Sequence, residues 1–198
     1  MRTKNVCRRC RREGVKLFLK GDRCLSPKCS FTRRSYVPGS SGTGRSAKLS
    51  DYAIQLREKQ KAKSLYNLRE NQFQNYYLKA SKSKEASGEK ILQMLETRLD
   101  NVVYHLGFAN SLRSARQLVN HKKIKVNGKI VNIPSFSLRE KMKIEPVVKT
   151  GFKIFKSEVP VWLKLDKANF CGEVVKVPMR SEISTDINEA LIVEFYSR

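Results

Sequence analysis

Four cysteines within the first thirty residues form the strongest chemical pattern in this chain. They fall as Cys7-x2-Cys10 and, after thirteen residues, Cys24-x4-Cys29. Two close pairs separated by a short excursion can present two sulfurs on each knuckle and turn the knuckles toward one another. That is what tetrahedral thiolate coordination demands. Disulfide pairing and free thiols are the competing uses, and an interior location disfavours disulfides. The spacing therefore predicts one metal held by Cys7, Cys10, Cys24 and Cys29. Zinc suits four thiolates, and so does an iron–sulfur cluster. The flanking Arg8, Arg9, Arg11, Arg12, Arg23 and Lys28 are expected to depress the thiol pKa values and favour metal. No histidine lies among these ligands and no open position is evident, so the ion is expected to hold structure rather than catalyse. The fifth cysteine, Cys171, stands alone and reads as a small buried residue.

Elsewhere no catalytic set emerges. The two histidines, His105 and His121, are isolated, no acidic cluster could hold Mg²⁺, and no G-x4-G-K-[ST] loop is present. The expectation is a protein that is not an enzyme. His121, beside Lys122 and Lys123, reads as a nucleic-acid contact or a hydrogen-bonded corner.

Charge supplies the alternative. The 198 residues carry 41 Lys and Arg against 18 Asp and Glu, a net +23. Such an excess favours a polyanionic partner. It is uneven: residues 1–50 hold 14 basic and 2 acidic side chains, whereas residues 158–198 hold 5 and 7. The cationic function therefore belongs to the first three quarters. No N-terminal apolar run suggests a signal peptide, and no run of about 18 apolar residues could span a bilayer. The expectation is a soluble interior protein with no membrane partner.

The cations gather on elements that the sequence marks out. Residues 98–131 hold Leu99, Val102, Val103 and Leu106 at helical spacing, then Gly107 as a left-handed stop. Ser111 is an expected N-cap for a second helix whose apolar face is Leu112, Ala115, Leu118 and Val119. Asn127-Gly128, flanked by Ile124–Val126 and Lys129–Val131, is a type I′ hairpin signal. These elements can share one core and leave Arg113, Arg116, Lys122, Lys123, Lys125 and Lys129 on a common outer surface. That surface is expected to grip RNA.

Before this stretch, residues 15–22 read as a short ribbon between the cysteine pairs. Residues 33–49 read as a Gly/Ser-rich arm, with Arg33, Arg34, Arg45 and Lys48 ordering against an RNA backbone. Ser50 is expected to cap a helix over 51–64, where Arg57, Lys59, Lys61 and Lys63 form a cationic helix without matching acids. Asn67 marks a turn, and Leu65, Leu68, Gln72, Phe73, Tyr76, Tyr77 and Ala80 make a stripe at helical spacing that reads as core rather than as tyrosines stacking on bases. Residues 79–88 read as a linker, and residues 89–106 as one long helix. Strands are expected around Met142–Ile144, Val161–Leu163 and Val174–Val177. Residues 186–196 read as a helix with a capping box of Asp186 and Glu189, packing back onto the helices of residues 50–85. The fold class is thus α+β: a metal-binding N-terminal arm (1–49), a helical domain (50–93 with 178–198), and an inserted mixed α/β domain (94–177) whose RNA-binding module spans about 97–157.

The strings RLDNVVYHLGFA, ARQLVNH, VNGK and IPS resemble the small RNA-binding module named after the fourth protein of the bacterial small ribosomal subunit. The likeness extends to CRRCRREGVKLFLKGDRC and SPKC, to QLREKQKAK, and to INEALIVEFYSR, so it covers nearly the whole chain in order. It is the zinc-binding four-cysteine form of that ribosomal family that the chain resembles. The resemblance implies a structural, primary binder of small-subunit rRNA that nucleates assembly of the subunit body and affects translational accuracy. It implies neighbouring small-subunit proteins as partners, notably the fifth, a position near where mRNA enters, and location in cytoplasmic or organellar ribosomes. Carried onto matching positions, it implies rRNA contacts at Arg98, Arg116, Gln117, His121 and Lys129, and at Tyr52, Gln55, Arg57, Lys59, Gln60 and Lys61. The chain departs from the family's usual residues at Ser111-Leu112, Lys123 and Asn67. The module also occurs in pseudouridine synthases and tyrosyl-tRNA synthetases. An RNA-modifying enzyme is therefore one alternative, although the matching segments leave no room for a catalytic domain. A zinc-dependent DNA-binding regulator is another, but no reading helix or dimer element is evident.

Overall fold

The computed structural model describes residues 6–39, 48–83, 85–149, 152–155 and 158–197. The chain divides into two compact units: residues 1–78 with 186–198, and residues 79–185. Residues 79–93 and 178–185, expected in the helical domain, thus fall in the second unit.

In the first unit, α1 (Val6–Glu13) carries Cys7 and Cys10. A 3-10 turn (Gly21–Cys24) and the short α2 (Ser30–Arg33) follow. The ribbon expected over residues 15–22 does not form. Instead Leu17 and Leu19 fold onto Val6 and Cys10, with Val15, Phe31 and Leu65 packed around them. Ser50 caps α3 (Asp51–Leu65), its hydroxyl accepting the Ala53 N–H at 3.3 Å. Asn67 takes φ +51° and turns the chain toward α4 (Glu70–Ala80). The last helix, α8 (Glu189–Tyr196), packs against α3. Its N-cap is Asn188, whose Oδ1 accepts the N–H groups of Ala190 and Leu191, so the expected box at Asp186 lies two residues too early. Phe73 is buried, and Tyr196 stacks on Phe73 and Tyr77, with centroids 6.3 and 4.7 Å apart.

In the second unit, the single helix expected over 89–106 is broken. It forms α5 (Ser87–Glu96) and α6 (Leu99–His105). Arg98 is extended at φ −66° and ψ 141°, and bridges Ser137 on a distant segment. The Leu99 N–H then donates to the Phe136 carbonyl at 2.9 Å, which fixes the break. Ser111 caps α7 (Leu112–Asn120), accepting the Ser114 N–H. Five antiparallel strands follow: β1 (Ile124–Val126), β2 (Lys129–Ile130), β3 (Lys143–Pro146), β4 (Leu163–Asp166) and β5 (Cys171–Val174). Their order is β2-β1-β3-β5-β4. The last two start or end several residues away from the expected runs, because Asp166 accepts the N–H groups of Ala168 and Asn169 and sets the turn.

Asn127 and Gly128 both have positive φ, +48° and +77°, as a type I′ hairpin requires. The Asn127 side chain also accepts the Lys143 N–H at 2.8 Å, tying the hairpin to β3. The core joins Leu99, Val102, Val103 and Leu106 to Ala115, Val119, Ile124, Ile144, Trp162 and Val174. At Gly172 a Cβ would fall 2.3 Å from a Leu106 methyl, so β5 needs a glycine there for the helix layer to seat.

Candidate nucleic-acid interface

The face of the second unit follows from how α7 ends. Ala115 and Val119 are buried, which leaves Gln117 on the opposite, exposed side. The Lys122 N–H donates to the Val119 carbonyl and the Lys123 N–H to the Leu118 carbonyl. That pair of bonds is a Schellman closure, and it places Lys122 in the left-handed position at φ +59°. Glycine normally occupies this site, and a lysine there costs about 1 kcal/mol or more. The chain accepts that cost at a position that points a cation outward. His121, Lys122, Lys123 and Lys129 are exposed, while Arg113, Arg116 and Lys125 are half-buried. Ser114, Gln117, Leu118, His121 and Lys123 line a shallow depression of about 350 Å³. A charged rim around a small recess can pair with phosphates and admit a splayed base.

Arg98 does not join this face. It is 2 % exposed, and its Nε and Nη2 donate to the two carboxylate oxygens of Asp100 at 3.0 and 2.8 Å. The break between α5 and α6 turns it inward, so it is a structural residue and the expected rRNA contact is corrected. Arg116 Nε lies 3.8 Å from the same carboxylate. Nearby, buried Glu96 accepts from Asn101 Nδ2 at 2.6 Å, and His105 Nε2 lies 2.9 Å from the same oxygen.

The helical unit departs further from expectation, because α3 is not a bare cationic helix. Gln55 and Lys59 are buried. Lys59 Nζ donates to Glu70 at 2.6 Å and lies over the Phe195 ring, 4.3 Å from its centroid. Lys63 donates to the other Glu70 oxygen at 2.7 Å. Lys61 pairs with Glu58 and Asp186, and Arg57 with Glu13. Burial raises the Glu70 pKa, but hydrogen bonds from Lys59, Lys63 and the Tyr196 hydroxyl outweigh it and hold the carboxyl at about 2. Burial and that same carboxylate push the Tyr196 phenol well above its usual range. Gln55 and Lys59 are therefore corrected from RNA contacts to core, and Lys61 is committed to internal acids. Tyr52 remains exposed beside Phe195, and Gln60 is half-buried. In the arm, Arg33, Arg34 and Lys48 are exposed. The expectation at Arg45 lies outside the described residues.

The four thiols belong to one small fold. Cys7 is half-buried, and Cys10, Cys24 and Cys29 are buried. Burial raises the Cys10 pKa against a bond from the Leu17 N–H, and the nearby Cys24, Cys7 and Cys29 raise it further. The expected lowering by neighbouring arginines is thus reversed at this sulfur. Cys29 goes the other way: burial is outweighed by the N–H groups of Thr32 and Phe31 and the Thr32 hydroxyl. The Lys20 N–H points at the Cys24 sulfur at 3.4 Å. The donor set fits zinc chemistry, but among the described residues no three His, Cys, Asp or Glu side chains gather into a group able to hold a metal ion.

Two sets of residues escape sequence reasoning. Arg8, Arg9 and Arg12 lie on α1, where the sequence suggests only charge flanking the cysteines; their spacing of i, i+1 and i+4 is the signal that places them on one helical side. Glu70, the anchor of two lysines, gives no sequence signal, since its partners lie 7 and 11 residues away.

Comparison with known proteins agrees with this architecture. Residues 1–96 match the ribosomal protein S4/S9 N-terminal domain, and residues 97–144 match the S4 domain. The small ribosomal subunit protein uS4 of Dictyoglomus thermophilum is 52% identical over 199 residues, covering 97% of this chain and 96% of that one. The protein of the same name from Desulfotalea psychrophila is 52% identical over 202 residues, 98% and 96% of the two chains. That of Acidobacterium capsulatum is 48% identical over 202 residues, 98% and 97%. With identity of this order over almost its whole length, the chain belongs to the small ribosomal subunit protein uS4 family.

Proposed function

We propose that this protein is a structural, non-catalytic constituent of the small ribosomal subunit that binds small-subunit rRNA directly. The observation that carries the reading is the outward set of lysines on the Schellman turn and hairpin, Lys122, Lys123 and Lys129, within the segment matching the S4 domain. Those side chains position a backbone by charge, and the recess beside Gln117 supplies shape. Arg113, Arg116 and Lys125 border the same face, and in the first unit, taken by itself, Arg33, Arg34, Lys48, Tyr52 and Gln60 are further contacts in this reading. The second unit serves as an insertion in a helical frame. In this reading the protein nucleates assembly of the subunit body, affects translational accuracy, and sits in cytoplasmic ribosomes beside the fifth small-subunit protein near where mRNA enters. No described helix is long and apolar enough to cross a membrane. The test is binding of the purified full chain to naked small-subunit rRNA across a salt series. Log K falling with a slope of several units against log salt is expected, and a flat dependence defeats the proposal.

The cysteine knuckle is proposed to close around one zinc ion through Cys7, Cys10, Cys24 and Cys29. Support comes from the backbone N–H groups already directed at three of the four sulfurs, which is how thiolate charge is stabilised in such sites. Elemental analysis of reduced, purified protein is expected to give one zinc per chain. Iron with visible absorbance would indicate a cluster instead, and absence of any metal would overturn coordination.

A further inference from the structure

One carboxylate in the second unit serves two guanidiniums, one inside the fold and one at its surface. Asp100 stands in the first turn of α6 and is 1 % exposed. Its N–H donates to the Pro134 carbonyl at 3.2 Å, which ties the backbone beside it to a distant segment. Buried Arg98 takes both of its oxygens, at 3.0 and 2.8 Å. Arg116 approaches from α7, with Nε 3.8 Å from Oδ2 and a side chain that is 23 % exposed.

The two contacts differ in kind. The Arg98 pair is a bidentate, charge-assisted clamp that leaves the carboxylate one orientation. At 3.8 Å the Arg116 contact is Coulombic rather than a hydrogen bond, so it draws the Nε edge inward without using an N–H on Asp100. Arg116 lies between buried Ala115 and exposed Gln117, at the border of the core and the cationic face. The three charged side chains carry one positive charge in excess, and Arg116 is the member a ligand can reach. A guanidinium recognises phosphate by direction as well as by charge, and one that swings freely must lose rotamer freedom to bind.

We infer that Asp100 is a positioning residue for RNA binding: locked by Arg98, it holds the Arg116 guanidinium in the direction that a phosphate on the RNA face requires. The inference rests on the rRNA-binding reading above and names a residue behind that surface which touches no RNA itself. By charge alone a carboxylate opposes a polyanion, so its removal would tighten binding. Positioning demands the opposite sign.

The experiment uses the full chain, naked small-subunit rRNA in a salt series, and a double-mutant cycle between positions 100 and 116. Urea midpoints are read from the buried Trp162 for every variant, and affinities are compared where each variant is folded. Arg116→Ala is expected to weaken binding by about 10-fold. Asp100→Asn is expected to weaken it by about 5-fold although it removes a negative charge, and by less than about 2-fold where Arg116 is already alanine. A merely structural role would lower affinity by the same factor in both backgrounds. Arg116→Lys keeps the charge without the fork, and is expected to lose about 5-fold at an unchanged urea midpoint. That variant decides alone if Asp100→Asn shows no folding transition. Equal losses from Asp100→Asn in both backgrounds, tighter binding by it, or wild-type affinity in Arg116→Lys would each overturn the positioning role and leave the rRNA-binding reading standing. So would wild-type affinity in Arg116→Ala. If wild type itself shows no salt-dependent binding, both fall together.

Discussion

Helix α3 in one unit and the α7–hairpin segment in the other are similar as sequence, since both are short, lysine-rich and flanked by apolar positions. In the folded chain they are opposites. Lys59, Lys61 and Lys63 of α3 each close on a carboxylate, and Lys59 is 5 % exposed. On the turn after α7, Lys122, Lys123 and Lys129 are exposed and enter no ion pair among the described residues. A count of cations therefore measures two things at once: charge that binds an external anion, and charge already neutralised to join helices. What separates them is whether acids from elsewhere in the chain reach the lysines. The near-neutral C-terminal segment performs that role for α3, through Asp186 and the aromatic rings of α8.

The sharpest way to break this contrast is at the most buried cation. Arg98→Ala leaves Asp100 buried without its bidentate partner, with Arg116 Nε 3.8 Å away, and is expected to destabilise the second unit by about 3 kcal/mol. The only tryptophan, Trp162, is buried in that unit, so its fluorescence in urea reports the loss directly. An unchanged midpoint with weakened rRNA binding would return Arg98 to the contact surface. Lys59→Ala should behave in the same sense at smaller size. Loss of its Glu70 pair and of its place over Phe195 is expected to cost about 1–2 kcal/mol by circular dichroism in urea. The rRNA affinity of the folded protein is expected to stay within about twofold, and a tenfold loss would place α3 on the RNA after all.

The outward lysines should respond in reverse. Lys123→Ala with Lys129→Ala is expected to lower the salt slope of rRNA binding by about 1–2 and to move stability by less than about 0.5 kcal/mol. Lys122 is instructive because alanine would keep the left-handed strain. Lys122→Gly removes the charge and the strain together, so affinity is expected to fall with no loss in urea midpoint. Destabilisation by that change would mean the lysine side chain packs inward.

Legibility in the sequence tracks how local the cause is. The caps at Ser50 and Ser111, the left-handed Gly107 and Asn67, and the Asn127-Gly128 hairpin depend on a few neighbouring residues, and all are readable. The break at Thr97–Arg98 is not, because the apolar spacing continues from Leu95 to Leu99 while bonds to Phe136 and Ser137 decide the geometry. Helix α1 is hidden for a related reason. Four arginines over eight residues read only as charge flanking a cysteine knuckle, whereas burial of Val6 and Cys10 against Leu17, Leu19 and Leu65 holds a helix there. At the candidate site, the exposed lysines of the hairpin are legible because a tight turn fixes their direction. The committed lysines of α3 are not, since partners such as Asp186 and Tyr196 lie more than a hundred residues away.

The smallest effect in this contrast is also the one that pH can isolate. Glu70 holds its carboxyl at about 2 against an ordinary 4.5, because the ammonium groups of Lys59 and Lys63 and the Tyr196 hydroxyl outweigh burial. A carboxyl whose folded pKa lies below its unfolded value binds protons more readily when unfolded. Its stabilisation is complete above the unfolded value and is lost as pH falls from about 4.5 toward 2. Glu70→Gln should therefore lower the urea midpoint at pH 6, and the gap from wild type should close as the solution is acidified to pH 2.5. Other carboxylates titrate in the same window, so the difference between variant and wild type is the informative quantity rather than either curve alone. High salt should shrink the gap only partly, because one of the two lysines is buried. A gap that stays constant with pH would mean that Glu70 contributes shape and hydrogen bonding but no charge, and α3 would then lose its standing as the neutralised counterpart of the hairpin.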